Sequence, residues 1–159
     1  MPSFPNFLRQ IVIGATTTFL LAGSALAGDI KIMDPYARSG PQSGAVFMQI
    51  MNTGSLDDRL VSATSAVAKV TGLHTHIEDD DGVMKMREVE GGFEIPAGDT
   101  HILARGGDHV MLMGLSQKMA HGSSIELTLS FEKSGDITIT VPVDLERKAK
   151  MHGHGTMDN

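Results

Sequence analysis

The chain has 159 residues, with 13 Lys and Arg against 19 Asp and Glu, and it contains no cysteine. This length suits one domain with a buried core, and a net charge of −6 is a poor match for nucleic acid. The missing cysteine excludes disulfides, thiolate zinc sites, iron–sulfur clusters and the Cys-ligated blue-copper centre. The 11 methionines and seven histidines that stand out are ligands for soft or borderline metals.

The first 27 residues have the pattern of a secretory signal peptide. Arg9 precedes an apolar run over residues 11–22, which is short for a membrane span, and a small-x-small cleavage site ends at Ala27. We therefore predict a Sec-type signal over residues 1–27, cut after Ala27. The resulting expectations are export to the periplasm, no stable membrane insertion afterwards, and a folded domain over residues 28–146.

Apolar and polar residues alternate with a period of two along the rest of the chain, which predicts strands. In chain order these strands are expected at 30–38, 45–51, 59–64, 67–77, 84–89, 92–95, 100–104, 109–113, 125–131 and 137–143. The last two form a predicted hairpin, and Pro142 indicates either that its second strand lies at a sheet edge or that this strand ends there. No window has the pattern of a long amphipathic helix. The fold class expected is all-β, a Greek-key sandwich or barrel.

Two histidines and two methionines occupy neighbouring predicted strands. His74 and His76 are two residues apart, as are Met84 and Met86, so each pair shares one face of its strand. The acidic segment 78–82 between them has the composition of a solvated turn. A hairpin around this turn would bring a His-x-His and a Met-x-Met together.

The run from His109 to Met113 carries a second cluster. His109, Met111 and Met113 share one face of the predicted strand, while Val110 and Leu112 would face the core. Taken alone, methionines in such a strand are more often gap-filling packing residues. Together with the preceding hairpin they fit a mixed thioether–imidazole site, and soft thioethers favour Cu(I).

The order of these motifs resembles that of the periplasmic copper chaperones called PCu(A)C. The matching segments are Tyr36-Ala37-Arg38, Ser43-Gly44-Ala45, 72–74, 82–87, 90–98 and 106–115. The resemblance implies a cupredoxin-like β-fold and Cu(I) as the cargo. It also implies delivery to the Cu(A) subunit of cytochrome c oxidase, with Sco-type copper proteins as further candidate partners.

The ligands of that family also map onto this sequence as part of the resemblance. A His, a Met and a His-x-Met fall on His74, Met86, His109 and Met111. The first two gaps, of eleven and 22 residues, are each one residue longer than the family pattern and imply small loop insertions. The alternative ligands, which share the same strand faces, are His76, Met84 and Met113.

The last segment, 147–159, changes in character. It has no periodicity, is rich in Gly, His and Met, and is expected to be a mobile tail. Some PCu(A)C proteins carry such an extension, and the resemblance to them implies that this tail binds a second copper. Imidazole and backbone nitrogen suit Cu(II) there. The candidate ligands of this second site are Met151, His152, His154 and Met157.

The function expected from these patterns is that of a copper carrier and not of an enzyme. A passive copper-sequestering or resistance protein would need the same ligands, and the sequence separates the two poorly. A small metalloenzyme would place Fe or Zn on His74, His76 and His109, with a carboxylate ligand and an open coordination position. Glu78 is the one nearby carboxylate candidate, and it lies at a predicted turn.

Overall fold

The computed structural model describes residues 29–148, which form ten β-strands. The predicted signal peptide and the tail beyond Lys148 lie outside the described residues. The strands are β1 (Ile30–Ser39), β2 (Ser43–Asn52), β3 (Asp58–Thr64), β4 (Ala68–Glu78), β5 (Met84–Glu88), β6 (Phe93–Ile95), β7 (Thr100–Leu103), β8 (His109–Leu115), β9 (Ser124–Phe131) and β10 (Gly135–Pro142). Each predicted strand is found, within a few residues of its predicted bounds.

The strands form two antiparallel sheets. One has six strands in the order β1-β2-β8-β4-β5, with β7 also paired to β2, and it is called the site sheet below. The other, the back sheet, has the order β10-β9-β3-β6. The chain changes sheet after β2, β3, β5, β6 and β8. No helix occurs within residues 29–148, so the all-β prediction is confirmed, and none of these residues forms a helix that could cross a membrane.

The core lies between the two sheets and follows from the alternation of the strands. Val110 and Leu112 of β8 are fully buried, as are Leu127 and Leu129 of β9 on the back sheet. These residues belong to one contiguous hydrophobic cluster. The prediction that Val110 and Leu112 face the core is therefore confirmed, and the alternate residues of β8 face outward.

The predicted hairpin near the C-terminus is also confirmed. β9 and β10 pair in register from Gly135 opposite Phe131 to Pro142 opposite Ser124. β10 is an edge strand of the back sheet, where Pro142 removes no ladder hydrogen bond from a central strand.

A buried carboxylate ties β3 to the β9–β10 turn. Asp58 is 6% exposed, and its oxygens accept hydrogen bonds from the backbone amides of Arg59, Lys133 and Ser134. The Ser134 hydroxyl donates a further hydrogen bond at 2.6 Å. Burial by itself would raise the pKa of Asp58, but these hydrogen bonds outweigh it, the Ser134 hydroxyl first, and the pKa lies below its ordinary value.

We expect Asp58→Asn to lower the free energy of unfolding at neutral pH by about 1–3 kcal/mol. The pKa of Asp58 is lower in the folded than in the unfolded chain. Its contribution to the free energy of unfolding is therefore complete above the ordinary pKa of 3.8 and is lost as the pH falls below that value. Urea unfolding at pH 7 and pH 3 measures both effects. Asp136→Asn, at an exposed position of β10, is the control. An equal loss of stability in Asp58→Asn at both pH values would contradict this role of the carboxylate.

Candidate metal centre

The pairing of three neighbouring strands gathers the predicted ligands on one surface. β8 pairs with β4, where His109 lies opposite His74, and β4 pairs with β5, where His76 lies opposite Met86. Directly paired residues project from the same face of a sheet. The outward face of the site sheet therefore carries His74, His76, Met84, Met86, His109, Met111 and Met113.

His109 is the buried centre of this face. Although it points away from the core, it is only 1% exposed because aromatic rings surround it. The ring centroids of His76, His74 and Phe47 lie 5.1, 6.0 and 6.1 Å from that of His109. Its Nδ1 is 2.9 Å from the carbonyl oxygen of Gly107. A carbonyl can only accept, so Nδ1 carries the proton and Nε2 keeps a lone pair for a metal.

The surroundings of His109 also keep it uncharged. Burial is the main cause that lowers its pKa from the ordinary value, and the Gly107 carbonyl opposes this only in part. His76 and His74 lower the pKa further, and Asp108 raises it. A metal binds the neutral imidazole, so His109 is held in its ligating form without a proton to displace.

The two histidines of β4 are placed differently. His76 directs Nδ1 to the same Gly107 carbonyl oxygen, at 3.3 Å, which leaves its Nε2 available. Both ring nitrogens of His74 are buried and have no hydrogen-bond partner among the described residues. The ring of His74 lies over Gly72, where a Cβ would come within 2.8 Å of its Nε2. Buried nitrogens without a partner are uncommon in folded proteins, and a bound metal would satisfy one of them.

The thioethers line a cavity over this face. Its volume is about 560 Å³, and its lining includes His76, Met84, Met86, His109 and Met111. Met84 and Met86, on the edge strand β5, are 50% and 45% exposed, and Met111 is half-buried. The imidazoles therefore form the inner part of the centre and the β5 thioethers form an open rim.

The structure brings some of the predicted residues closer to this cavity than others. His74 is adjacent to His109 but is not among the residues that line the cavity, whereas its alternate His76 is. Met113 shares the face, opposite Ser43 and Val70, and lies one pleat beyond the cavity. The acidic turn predicted at 78–82 is found after Glu78, but Glu78 itself is the last residue of β4 and pairs with Met84. The tail candidates Met151, His152, His154 and Met157 lie outside the described residues.

Sequence reasoning missed three parts of this centre. The Gly107 carbonyl orients two imidazoles, Phe47 covers His109, and Arg38 and Arg105 line the far side of the cavity. The segments Tyr36-Ala37-Arg38 and Gly106-Gly107 belong to the motifs that carried the resemblance, so a signal was present. Nothing in their spacing, however, indicates what they contact.

A family model described as "LpqE-like: Putative lipoprotein LpqE-like" matches residues 30–143. The chain belongs to this family, the PCu(A)C family. The resemblance noted from the sequence motifs is thereby confirmed. A curated relative from Leifsonia xyli subsp. xyli, "Putative lipoprotein Lxx21020", is 40% identical over 105 residues, which are 66% of this chain and 63% of that protein. The chain thus spans less than two thirds of this relative's length.

Solved PCu(A)C structures share the fold. The "Copper-bound PCuAC domain from PmoF2" is 28% identical with a TM-score of 0.61, and the match covers 74% of this chain and 93% of that domain. The "Solution structure of CuI-DR1885 from Deinococcus Radiodurans" is 26% identical with a TM-score of 0.59, over 80% of this chain and 87% of that protein. The cupredoxin-like β-fold expected for a PCu(A)C protein is therefore the fold of this chain.

Proposed function

We propose that this PCu(A)C protein is a copper chaperone that binds Cu(I) on the outward face of the site sheet. Its ligands are His74, Met86, His109 and Met111. The observation that carries the proposal is His109, a buried neutral imidazole whose Nε2 is left free among neighbouring imidazoles and thioethers. Imidazole and thioether together suit Cu(I) better than zinc or the hard cations, which prefer thiolate or oxygen ligands.

The exposure of the ligands supports transfer by ligand exchange. Met86 is 45% exposed at an edge strand, whereas His109 is 1% exposed. An acceptor's ligands can reach the ion from the methionine side while the imidazoles still hold it. The names of two related structures, a copper-bound PCuAC domain and a Cu(I)-bound protein, support copper as the cargo.

His74 is proposed as the β4 ligand because both its nitrogens are buried and lack a partner among the described residues. The expected result is that His74→Gln lowers Cu(I) affinity by about tenfold or more, whereas the matched variant His76→Gln changes it far less. Even the mutation of a residue that only hydrogen-bonds to a metal ligand typically lowers metal affinity by about 10–100-fold. Competition with a chromophoric Cu(I) chelator measures both variants. The reverse order of effects would assign the ligand role to His76, which lines the cavity.

The place of action and the acceptor are also part of the proposal. The signal pattern of residues 1–27 and the lipoprotein names of the relatives support an exported protein, and we assign it to the periplasm. Export places it where a copper centre such as Cu(A) of cytochrome c oxidase is assembled. The Cu(A) subunit is the proposed acceptor, and Sco-type proteins are the second choice.

Two other functions compete with this one. A passive copper-sequestering protein would use the same ligands, so only transfer separates it from a chaperone. A metalloenzyme on His74, His76 and His109 would need three nitrogen or oxygen donors on one ion. Within residues 29–148 no group of three or more His, Cys, Asp or Glu side chains is arranged to hold a metal. The mixed thioether and imidazole donors favour the carrier.

The function is tested by mixing the Cu(I)-loaded protein with the isolated, reduced Cu(A) domain of cytochrome c oxidase. A chaperone is expected to give a transfer rate that rises with acceptor concentration, because the acceptor attacks the bound ion. A sequestering protein gives a rate that is independent of the acceptor and equal to spontaneous release. Equal rates at all acceptor concentrations would therefore rule out the chaperone.

The tail is proposed to hold a second copper as Cu(II), on Met151, His152, His154 and Met157. Removing residues 149–159 should leave the fold and Cu(I) affinity unchanged, because the strands end at Pro142 and the Cu(I) ligands lie in β4, β5 and β8. It should abolish one equivalent of Cu(II) uptake. Titration with Cu(II), followed by the absorption of the bound ion, compares the two chains. Equal Cu(II) uptake by both would end this part of the proposal.

A further inference from the structure

Two arginines line the metal cavity across from its methionines. Arg38 lies on β1, which forms one edge of the site sheet, and Met86 lies on β5 at the other edge. Arg38 pairs with Ala45, which pairs with Met111, so the arginine shares the outward face with the copper ligands. Arg105 precedes the Gly106-Gly107 turn that leads into β8.

Neither arginine can coordinate the copper ion. A guanidinium has no lone pair to donate, and its charge repels a cation. Within residues 29–148 neither Arg38 nor Arg105 forms an ion pair with a carboxylate. Arg38 donates a hydrogen bond to the backbone carbonyl oxygen of Arg147. The guanidinium of Arg147 is itself engaged, since it pairs with Asp34 and lies 4.1 Å from the ring centroid of Tyr36.

The positive charge continues beyond the cavity. Arg105 also lines a neighbouring cleft together with Lys148 and with Arg147, which pairs there with the carboxylate of Asp34. Arg38, Arg105 and Lys148 are called the cationic strip below. The whole chain carries a net charge of −6, so this strip has the sign opposite to the molecule's. It lies beside the cavity that is lined by the ligands Met86, His109 and Met111.

The opposite rim of the cavity is formed by two exposed methionines. Met84 and Met86 are 50% and 45% exposed, and Glu78, which pairs with Met84, lies at the end of this rim. The cavity, of about 560 Å³, is also far larger than one ion requires, since a water molecule occupies about 30 Å³ of the liquid. The face therefore has room for side chains of a second protein, which can pack against the methionine rim. Arg38 and Arg105 form no ion pair with a carboxylate of the described residues, so they can pair with carboxylates of another chain.

We infer that this face is the docking surface for a copper-acceptor protein that presents carboxylates beside its metal-binding loop. The inference rests on the proposed copper-carrier function and adds the chemistry of the partner. The acceptor's carboxylates pair with the cationic strip, and its loop enters the cavity between the strip and the methionine rim. Copper stays Cu(I) throughout. The acceptor's thiols lose their protons to the solvent, and the resulting thiolates form bonds to copper as the bonds to the thioethers and imidazoles break.

The test uses three synthetic peptides that share one Cys-x-x-Cys core and differ only in acidic, neutral or basic flanks. Cu(I) transfer from the full chain to each peptide is followed at low salt and at high salt. The acidic peptide is expected to be at least about tenfold faster than the neutral one at low salt, because steering by opposite charge raises association rates by about 10–10³. High salt should remove this advantage.

The variants then locate the effect. Arg38→Gln with Arg105→Gln should remove the preference for the acidic peptide, and Cu(I) affinity should not fall, because neither residue is a ligand and the loss of two positive charges cannot weaken the binding of a cation. Lys31→Gln with Lys69→Gln makes the same change in net charge at two exposed positions that do not line the cavity. This control should keep the preference. If both double variants lose it equally, net charge and not the strip is responsible, and the inference is wrong.

The remaining outcomes separate the docking inference from the carrier function. Equal transfer rates to all three peptides would overturn the docking surface and leave copper transfer intact. A protein that binds no Cu(I) would overturn both. If the chain without residues 149–159 transfers Cu(I) faster, and equally so to all three peptides, the tail occupies this face. If sedimentation shows a dimer that dissociates in the Arg38→Gln and Arg105→Gln double variant, a second copy of the chain occupies this face. Occupation of the face by the tail or by a second copy would each overturn the inference.

Discussion

Met111→Leu and Met86→Leu are each expected to lower Cu(I) affinity by at least about tenfold, since even outer-shell changes at metal sites cost about 10–100-fold. Leucine keeps the bulk and apolarity of methionine and removes only the sulfur. The apo-proteins should therefore keep nearly their original melting temperatures, at a cost below about 1.5 kcal/mol. The exposure of Met86, at 45%, strengthens this expectation, because the side chain contributes little to the core.

Met48→Leu is the matched control for these variants. Met48 lies on β2 of the same sheet but is only 2% exposed and belongs to the core cluster. Its substitution should leave Cu(I) affinity unchanged. Competition with a chromophoric Cu(I) chelator and thermal unfolding of the apo-proteins measure the two quantities separately. Unchanged affinity in both Met111→Leu and Met86→Leu would leave these methionines as packing residues.

Gly92→Ala, next to the back sheet, is expected to lower the free energy of unfolding by about 2–5 kcal/mol. Gly92 has a φ of 72°, and a Cβ there would lie 2.2 Å from the backbone oxygen of Leu60. Leu60 is fully buried and pairs with Phe93, so the β3–β6 pairing must shift to make room. The variant should unfold at a clearly lower urea concentration.

Gly98→Ala separates the two causes of that loss. Gly98 has a φ of 75°, but a Cβ there would meet nothing within 4 Å. Only the conformational cost of about 1–2 kcal/mol remains for an L-residue in the left-handed region. Similar urea midpoints for the two variants would mean that the contact with Leu60 contributes nothing.

The strands were predictable from the sequence because the side-chain period of a strand is two. Val110 and Leu112 are apolar and alternate with His109 and Met111, which was enough to assign both faces of β8. Register across strands was less accessible, since spacing along one strand does not fix its neighbour. The pairing of His74 with His109, and of His76 with Met86, is a result of the structure.

The parts of the centre that the sequence could not predict are set by long-range topology. Arg38 comes from β1, far from Arg105 along the chain, and both reach one cavity only because β1 and β8 flank β2. The Gly107 carbonyl is a backbone group and leaves no side-chain signature. The identity of the β4 ligand stayed open for a similar reason. His74 and His76 share one strand face, and only their surroundings differ.

X-ray absorption spectroscopy of the Cu(I)-loaded protein identifies the atoms that bind the copper ion. Sulfur and nitrogen scatterers differ in their distance to the metal, so the first coordination shell reports the donor types. We expect a mixed shell of thioether sulfur and imidazole nitrogen, whose sulfur contribution decreases in Met86→Leu and in Met111→Leu. A shell of nitrogen and oxygen alone, unchanged by both substitutions, would contradict the proposed copper site.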